Sequence, residues 1–201
     1  MLSSLKETVR TKMSEKRFLH TLGVEAEMQK MAEIYMPDKG ALARAAGLLH
    51  DVTKAWSEEQ QLAYCAENGI LLSPEEKAAP QILHAKTAAH YVERHMPQFA
   101  EKSLLSAILK HTTGSAEMTT LDKMLYIADF IEEGRKYDSC RMLRTEFWGG
   151  IAAAPDKARF LNEMLLKAYT LSLEALARIN ATISPETLLA KAAIEKALEA
   201  R

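Results

Sequence analysis

Apolar residues along this chain recur at intervals of three and four, which is the spacing of one face of an α-helix. In the segment from about 14 to 35 the repeating positions are Phe18, Leu22, Met28, Met31 and Ile34. No segment alternates apolar and polar residues as a half-buried strand would, and aromatic residues make up only 6% of the chain. The pattern therefore predicts an all-α fold in a single domain.

Prolines and capping residues predict where the helices begin and end. All six prolines fall at expected borders, since proline breaks a helix interior. Ser57 with Gln60 has the spacing of a capping box, Gly69 suits a helix C-terminus, and Ser184-Pro185 suits the start of the last helix. The predicted helices span about 14–35, 39–55, 57–68, 82–95, 98–110, 119–133, 156–180 and 185–200.

The pair Gly149-Gly150 predicts a hinge within the domain. It divides a core at about 10–140 from a C-terminal helical appendage at about 156–200. Residues 69–80 are expected to form a loop near the functional site. The apolar faces of the C-terminal helices leave two possibilities open, because they can cover the core or pair two subunits in a homodimer.

Composition excludes several classes of function. The net charge is −1, so no basic field favours binding to nucleic acid, although local lysines and arginines can still bind phosphate. No stretch approaches the roughly 20 apolar residues that cross a bilayer, and the first residues lack the apolar segment of a signal peptide. Two cysteines far apart in the chain suggest reduced thiols. A cytoplasmic location without membrane association is expected.

Six side chains that can ligate a metal lie in helical, mostly apolar contexts. They are His20, His50, Asp51, His84, His111 and Asp129. A lone histidine on an apolar face is more often a satisfied core residue than a ligand, so the argument rests on the whole set. Four imidazoles and two carboxylates can hold two divalent cations at one centre. Asp51 is the expected bridge between them, because a carboxylate can bridge two metals and an imidazole normally cannot.

Several cationic and small polar residues near these ligands are candidate phosphate contacts. Lys54 follows the His-Asp pair by about one turn, Arg17 precedes His20, and Arg135 follows Asp129. A guanidinium can clamp phosphate with two hydrogen bonds, but a solvated helix surface is the alternative for each residue. The turn formed by Thr112, Thr113 and Gly114 can bring backbone N–H groups to a phosphate, or it can simply end a helix.

The order of the six ligands resembles that of HD-domain metal-dependent phosphohydrolases, and longer motifs narrow the resemblance to the YqeK-type family. The matching segments are KRFLHTLGV at 16–24, AGLLHDVTK at 46–54, HTTG at 111–114 with Met118, and YIADFIE at 126–132 with Arg135. The resemblance covers about residues 10–140, and the last sixty residues match only in helical character.

This resemblance implies an all-helical HD-domain bundle that hydrolyses diadenosine tetraphosphate symmetrically. The substrate would be a dinucleoside polyphosphate and the product ADP. His50 and Asp51 would be catalytic, and His20 and His111 would also contact substrate. The resemblance implies a dinuclear, iron-type centre, with Mn, Co or Zn as alternatives that suit mixed nitrogen and oxygen ligands. His20, His50 and Asp129 would hold one metal, His84 and His111 the other, and Asp51 both.

Two other functions stay open at this point. One is an HD phosphohydrolase that acts on a different nucleotide or a cyclic nucleotide. The other is a metal-stabilised nucleotide sensor without catalytic activity, which an incomplete ligand set would favour; here all six ligand residues are present.

Overall fold

The computed structural model describes residues 2–200, which form eleven α-helices and no β-strand. The helices are α1 (Leu2–Arg10), α2 (Glu15–Tyr35), α3 (Gly40–Leu49), α4 (Glu58–Glu67), α5 (Pro74–Ala78), α6 (Leu83–His95), α7 (Lys102–Lys110), α8 (Thr120–Ile131), α9 (Asp138–Gly150), α10 (Lys157–Arg178) and α11 (Pro185–Glu199). Short 3₁₀ turns that open with proline precede α3, α6 and α7. The prediction of an all-α fold is confirmed.

Three predicted helix boundaries coincide with the structure. The side chain of Ser57 accepts the backbone N–H of Gln60, and the Gln60 side chain accepts that of Ser57, which completes the capping box of α4. Gly69 follows the same helix with a φ of +66°, a left-handed conformation that glycine adopts without strain. α11 begins at Pro185, although Ser184 makes no side-chain capping bond.

The helix predicted at 39–55 ends earlier, at Leu49, so the His-Asp pair lies in a tight turn. Within that turn the backbone N–H of Lys54 bonds to the carbonyl of Asp51 at 2.9 Å, three residues back instead of four. The Thr53 carbonyl accepts a 2.8 Å hydrogen bond from the side chain of Gln61. This bond from a distant side chain stabilises the turn, and nothing in the local pattern indicated it.

Three helices were not predicted. α1 and α9 lie in segments left without assignment, and α5 lies inside the expected loop at 69–80. Gly149 and Gly150 are the last two residues of α9, so the expected hinge is the end of a helix. Beyond it, α10 buries Leu165 and Tyr169 in the same apolar cluster as α2, α3 and α8. The C-terminal segment therefore covers the core through α10.

The core is built where α2, α3 and α8 pack against one another. Met28, Leu48 and Leu125 are fully buried there, and each such side chain contributes about 1.5–3 kcal/mol through removal from water. A Cβ atom at Gly47 would lie 2.9 Å from the Cα of Glu25, so glycine allows α3 to approach the backbone of α2 closely. This approach brings the end of α3, with its His-Asp pair, beside the face of α2 that carries His20.

Candidate metal centre

The six predicted ligands come together at one place in the fold. α2, α6 and α8 supply His20, His84 and Asp129, while His50, Asp51 and His111 lie directly after the ends of α3 and α7. His50, Asp51, His84 and His111 are buried, and the side chain of Asp129 is 21% exposed. Helix ends and helix faces thus hold all six groups.

One carboxylate oxygen of Asp51 faces two of the imidazoles. Asp51 Oδ2 lies 3.5 Å from His50 Nε2 and 3.8 Å from His20 Nε2. The Oδ1 atom of Asp129 completes this group, at 3.0 Å from His20 Nε2 and 3.9 Å from His50 Nε2. His20, His50 and Asp129 each offer one ligand atom within 4.8 Å of the others, so together they can hold a metal ion.

The other oxygen of Asp51 faces the remaining two imidazoles. Asp51 Oδ1 lies 3.4 Å from His84 Nε2 and 3.6 Å from His111 Nε2. The atoms of His50, Asp51 and His111 form a second group that can hold a metal, also within 4.8 Å. Asp51 therefore stands between two sets of donors, with one oxygen directed at each.

The outer nitrogen of three imidazoles is turned toward a backbone carbonyl. His50 Nδ1 lies 2.7 Å from the Gly47 carbonyl, His84 Nδ1 2.9 Å from that of Gln81, and His111 Nδ1 2.7 Å from that of Ile108. A carbonyl only accepts, so Nδ1 of His50 and of His111 carries the proton in these contacts and leaves Nε2 for a metal, whereas Nδ1 of His84 also faces the Lys54 ammonium group at 3.0 Å. The form with the proton on Nδ1 is the tautomer of a metal-ligating histidine.

One buried imidazole nitrogen without a hydrogen-bond partner supports metal binding by this donor set. His50 Nε2 is completely buried and finds no hydrogen-bond partner among residues 2–200. A buried polar atom without a partner costs free energy unless an ion or another polar group satisfies it. The residues present therefore fit a borderline divalent cation.

Two carboxyl groups in the centre are held ionised. Burial raises the pKa of the Asp51 carboxyl, but the surrounding imidazoles, His50 first, outweigh it and hold that pKa well below the usual range. Burial likewise opposes ionisation of Asp129, yet the nearby guanidinium of Arg135 and the imidazole of His20 hold its pKa well below the usual range. Ionised carboxylates are the form that ligates metals.

The histidines differ in their affinity for a proton. Burial lowers the pKa of His20, but hydrogen bonds to Asp129 and Glu132 outweigh it and raise that pKa to about 9. Burial and the neighbouring His111 lower the pKa of His84 to about 3. Within one cluster, therefore, the carboxylates stabilise one imidazolium while the apolar surroundings keep another imidazole neutral.

A cavity of about 1210 Å³ opens beside His20, and cationic side chains line it. Arg17 Nη1 lies 2.8 Å from Asp51 Oδ2, and Arg135 Nη2 lies 2.6 Å from Asp129 Oδ1. Lys16 and Lys136 also line the cavity. Both predicted arginines thus connect the ligand carboxylates to a large open space, which Glu132 and Glu133 also line.

Lys54 and Thr112 lie against the second pair of imidazoles. Lys54 Nζ is 3.0 Å from His84 Nδ1 and 3.3 Å from the Gln81 carbonyl, and burial lowers its pKa. Thr112 Oγ1 is 3.2 Å from the Nε2 atoms of both His84 and His111. The structure brings these two residues to the metal centre, so Lys54 is not a freely solvated helix-end lysine.

The rest of the predicted turn faces elsewhere. The Thr113 hydroxyl donates to the carbonyl of Gly114 at 3.2 Å. Gly114 has a φ of +73°, and a Cβ atom there would clash with the hydroxyl of Tyr169. Close packing against α10 therefore accounts for this glycine, and contact of Thr113 and Gly114 with substrate stays a prediction.

Sequence reasoning missed two groups of residues around the ligands. Gln61, Thr53 and Thr87 form a buried network that ends on the backbone of His84, with hydroxyls 2.8 Å apart and a Thr53-to-His84 carbonyl bond of 3.1 Å. Glu132, only 2% exposed, lies 3.1 Å from His20 Nδ1. Its signal in the sequence is the YIADFIE motif at 126–132, whose last residue it is, but the motif does not indicate the contact with His20.

A family model described as the HD domain matches residues 17–134, a stretch that contains all six ligands. The chain belongs to the HD-domain family. The symmetrical bis(5'-nucleosyl)-tetraphosphatase of Staphylococcus aureus is 33% identical over 134 residues, 67% of this chain and 68% of that protein. The protein of the same name from Bacillus subtilis is 28% identical over 184 residues, 90% of each chain. These relatives place this HD-domain chain in the YqeK-type group of hydrolases.

A solved HD-domain structure supports the same placement. A predicted HD superfamily hydrolase involved in NAD metabolism from Clostridium acetobutylicum superimposes with a TM-score of 0.85 at 27% identity, covering 98% of both chains. The likeness extends beyond the HD domain and includes the C-terminal helices. Among residues 2–200, no helix combines the length and apolar character that crossing a bilayer requires.

Proposed function

We propose that this HD-domain hydrolase cleaves diadenosine tetraphosphate at the centre of its phosphate bridge and releases two molecules of ADP. Water attacks one of the two central phosphorus atoms, a new P–O bond forms, and the bond to the oxygen between the central phosphates breaks. One ADP leaves from that bond, and the attacked half is released as the second ADP. The observation that carries the proposal is the position of Asp51 between two sets of metal donors.

The distances support the following ligand roles in this proposal. His20, His50 and Asp129 would hold one divalent cation, His84 and His111 would hold the second, and Asp51 would bridge the two. Two such cations, when bound, supply a nucleophilic water at neutral pH and neutralise charge on the attacked phosphoryl group. Imidazole with carboxylate suits Fe, Mn, Co or Zn, and the resemblance to the YqeK-type family favours iron among these.

Arg17 and Arg135 are suited to bind the phosphate bridge. Each already contacts a ligand carboxylate, at 2.8 and 2.6 Å, and each lines the cavity. A phosphate oxygen beside those carboxylates would lie within reach of both guanidinium groups, which bind phosphate in a bidentate manner. Lys16 and Lys136 would add charge farther along a polyanionic substrate.

The rim of the cavity offers apolar surface for a nucleoside base. Tyr137 is 72% exposed and Leu19 is 60% exposed, and both line the cavity together with the four cations. A purine can stack on an exposed aromatic ring in a way that does not depend on base identity. We infer that Tyr137 contacts one adenine of the substrate.

One experiment tests the proposed function. The purified protein, with its metal content measured, is incubated with diadenosine tetraphosphate while ADP, ATP and AMP are resolved. ADP alone is expected. ATP plus AMP would contradict symmetrical cleavage, and full metal loading without turnover would favour a nucleotide sensor.

The remaining alternative, hydrolysis of another nucleotide, is tested in parallel. Nucleoside monophosphates, deoxynucleotides and cyclic nucleotides are offered at equal concentration. A higher kcat/KM for any of these than for the tetraphosphate would replace the proposed substrate. The expected cytoplasmic location and a homodimer remain predictions for cell fractionation and for light scattering.

A further inference from the structure

We propose that Glu132 is a positioning residue that fixes the tautomer and the orientation of His20 so that Nε2 faces a divalent cation. The inference rests on the proposed metal centre. It assigns a function to a buried carboxylate outside the six-ligand set.

The three other histidines are oriented by their own backbone. His50, His84 and His111 each turn Nδ1 toward the carbonyl three residues earlier. The carbonyls of Gly47 and Ile108 lie in the last turns of α3 and α7, where carbonyls lack the usual partner four residues on, and the carbonyl of Gln81 lies in the 3₁₀ turn before α6.

His20 does not bond to a carbonyl of its own helix in this way. It lies inside α2, where the carbonyl three residues earlier already belongs to the helical hydrogen-bond ladder. An acceptor for its Nδ1–H must come from another part of the chain. Glu132, at the C-terminal end of α8, supplies Oε1 at 3.1 Å.

The second oxygen of Glu132 is engaged as well. The backbone N–H of Gly134 donates to Oε2 at 2.5 Å, so two donors converge on the two oxygens of one carboxylate. Arg144 fixes this turn, since its guanidinium donates to the carbonyls of Ile131 and Glu132 and, at 3.0 Å, to that of Arg135. A glutamine at 132 has only one acceptor oxygen and would leave one of the two donors unpaired.

Two glycines make room for this carboxylate. A Cβ atom at Gly23, three residues after His20 on α2, would clash with Glu132 Oε2. A Cβ atom at Gly134 would lie 2.8 Å from the same oxygen. Neither glycine has a positive φ, so backbone conformation does not explain them. Glycine inside a helix is unfavourable, and here the space that Glu132 needs accounts for it.

The first test compares Glu132→Gln with the neighbouring Glu133→Gln, whose side chain is 78% exposed. Zinc binding is followed by calorimetry, and the imidazole nitrogens of zinc-loaded protein by ¹⁵N NMR. Glu132→Gln is expected to weaken one of two zinc equivalents about 10- to 100-fold and to shift the His20 Nδ1–H signal, while Glu133→Gln changes neither. Unchanged zinc affinity and an unchanged His20 signal would overturn the inference.

A second test can decide the question even if the Glu132→Gln variant folds poorly. Gly23→Ala is expected to weaken zinc binding in the wild-type background, because the new methyl group displaces the carboxylate. In a Glu132→Ala background the same substitution is expected to raise Tm by about 2–4 °C, since alanine favours a helix and the clash is gone. If Gly23→Ala changes zinc affinity and Tm equally in the wild-type and Glu132→Ala backgrounds, the proposal is contradicted.

These readouts separate the inference from the proposed function. Loss of zinc affinity in Glu132→Gln, in a protein that does not hydrolyse diadenosine tetraphosphate, would support the positioning role and refute only the substrate. Wild-type hydrolysis of the tetraphosphate together with unchanged zinc binding in the variant would refute the positioning role alone.

Discussion

His84 and His111 face each other through their Nε2 atoms, which are 3.1 Å apart. Each ring has its Nδ1 directed at a backbone carbonyl, so neither Nε2 needs to carry a proton. Two lone pairs at this distance repel unless a positive charge lies between them or beside them. With zinc–nitrogen bonds of about 2.0–2.1 Å, two ligands of one metal stand roughly 3 Å apart, so the observed separation suits a shared cation.

Replacing Asp51 with alanine tests its position between the two donor sets. Asp51→Ala is expected to abolish hydrolysis and to remove at least one metal equivalent, because both sets lose a donor. Metal content by mass spectrometry and single-turnover assays give the measurement. Asp38→Ala, at an exposed position, serves as the control. Wild-type turnover in Asp51→Ala would refute the bridging role.

Metal removal is expected to destabilise the protein, because the ligands come from five helical contexts that meet only in the folded chain. A ligand at 100 times its Kd adds about 2.7 kcal/mol, which corresponds to roughly 5–10 °C in Tm for a chain of this size. Thermal denaturation before and after dialysis against a chelator measures the shift. An identical Tm with and without metal would show that the six residues do not bind cations.

Two histidines predict a stability maximum near pH 6.5 for chelator-treated protein. His20, with its pKa raised to about 9, stabilises fully below its unfolded value of about 6.5, and that contribution is lost as pH rises through 9. His84, with its pKa lowered to about 3, is protonated more readily when unfolded, so stability falls as pH drops from about 6.5 to 3.

The lowered pKa values of Asp51 and Asp129 steepen the acid side. Their stabilisation is present above the unfolded value of about 3.9 and is lost as pH falls below it. Tm measured between pH 3 and 10 checks both sides of the maximum, and His84→Asn is expected to flatten the acid side above pH 4. Stability that rises steadily from pH 6.5 to 9 would contradict the role given to His20.

The arginines are expected to act on substrate affinity. Arg17→Ala and Arg135→Ala should each raise KM for diadenosine tetraphosphate about 10-fold or more, since a charged hydrogen bond to phosphate contributes roughly 1.5–3 kcal/mol. Arg141→Ala removes a guanidinium that is 60% exposed and provides a matched control. Steady-state kinetics at constant metal loading distinguish the variants. If KM is unchanged in both variants, the arginines do not bind the substrate and serve only as ion-pair partners of the ligand carboxylates.

Tyr137→Ala is expected to raise KM about 5- to 100-fold, because base stacking contributes roughly 1–3 kcal/mol. Tyr137→Phe retains the ring and should remain close to wild type. Kinetics with diadenosine tetraphosphate provide the comparison. If phenylalanine proves as harmful as alanine, the hydroxyl group and not the ring is what the substrate contacts.

The six candidate ligands can be predicted from the sequence because ligation places polar groups where packing would use apolar ones. Asp129 stands in a run of apolar residues, and His20 occupies a helix face that is otherwise buried. Such exceptions to the helical pattern are visible without a structure. The order of the six ligands indicated the HD-domain family, and the surrounding motifs indicated the YqeK-type group within it.

Contacts between distant parts of the chain escaped the same reasoning. Glu132 contacts His20, although more than a hundred residues separate them in the chain. The side chain of Gln61 donates a hydrogen bond to the carbonyl of Thr53 in the turn after α3. α9 lies in a segment without a predicted helix, and it includes both glycines of the predicted hinge as its last residues. Local sequence patterns indicate the secondary structure that a segment prefers, whereas these features depend on the tertiary contacts that each segment makes.

Tyr169 fills the space beside Gly114 and so supports the turn that carries His111. The tyrosine lies on α10, well beyond the last metal ligand in the chain. During synthesis the six ligands therefore emerge from the ribosome before the helix that braces one of them. Full metal affinity is therefore expected only after α10 has been made.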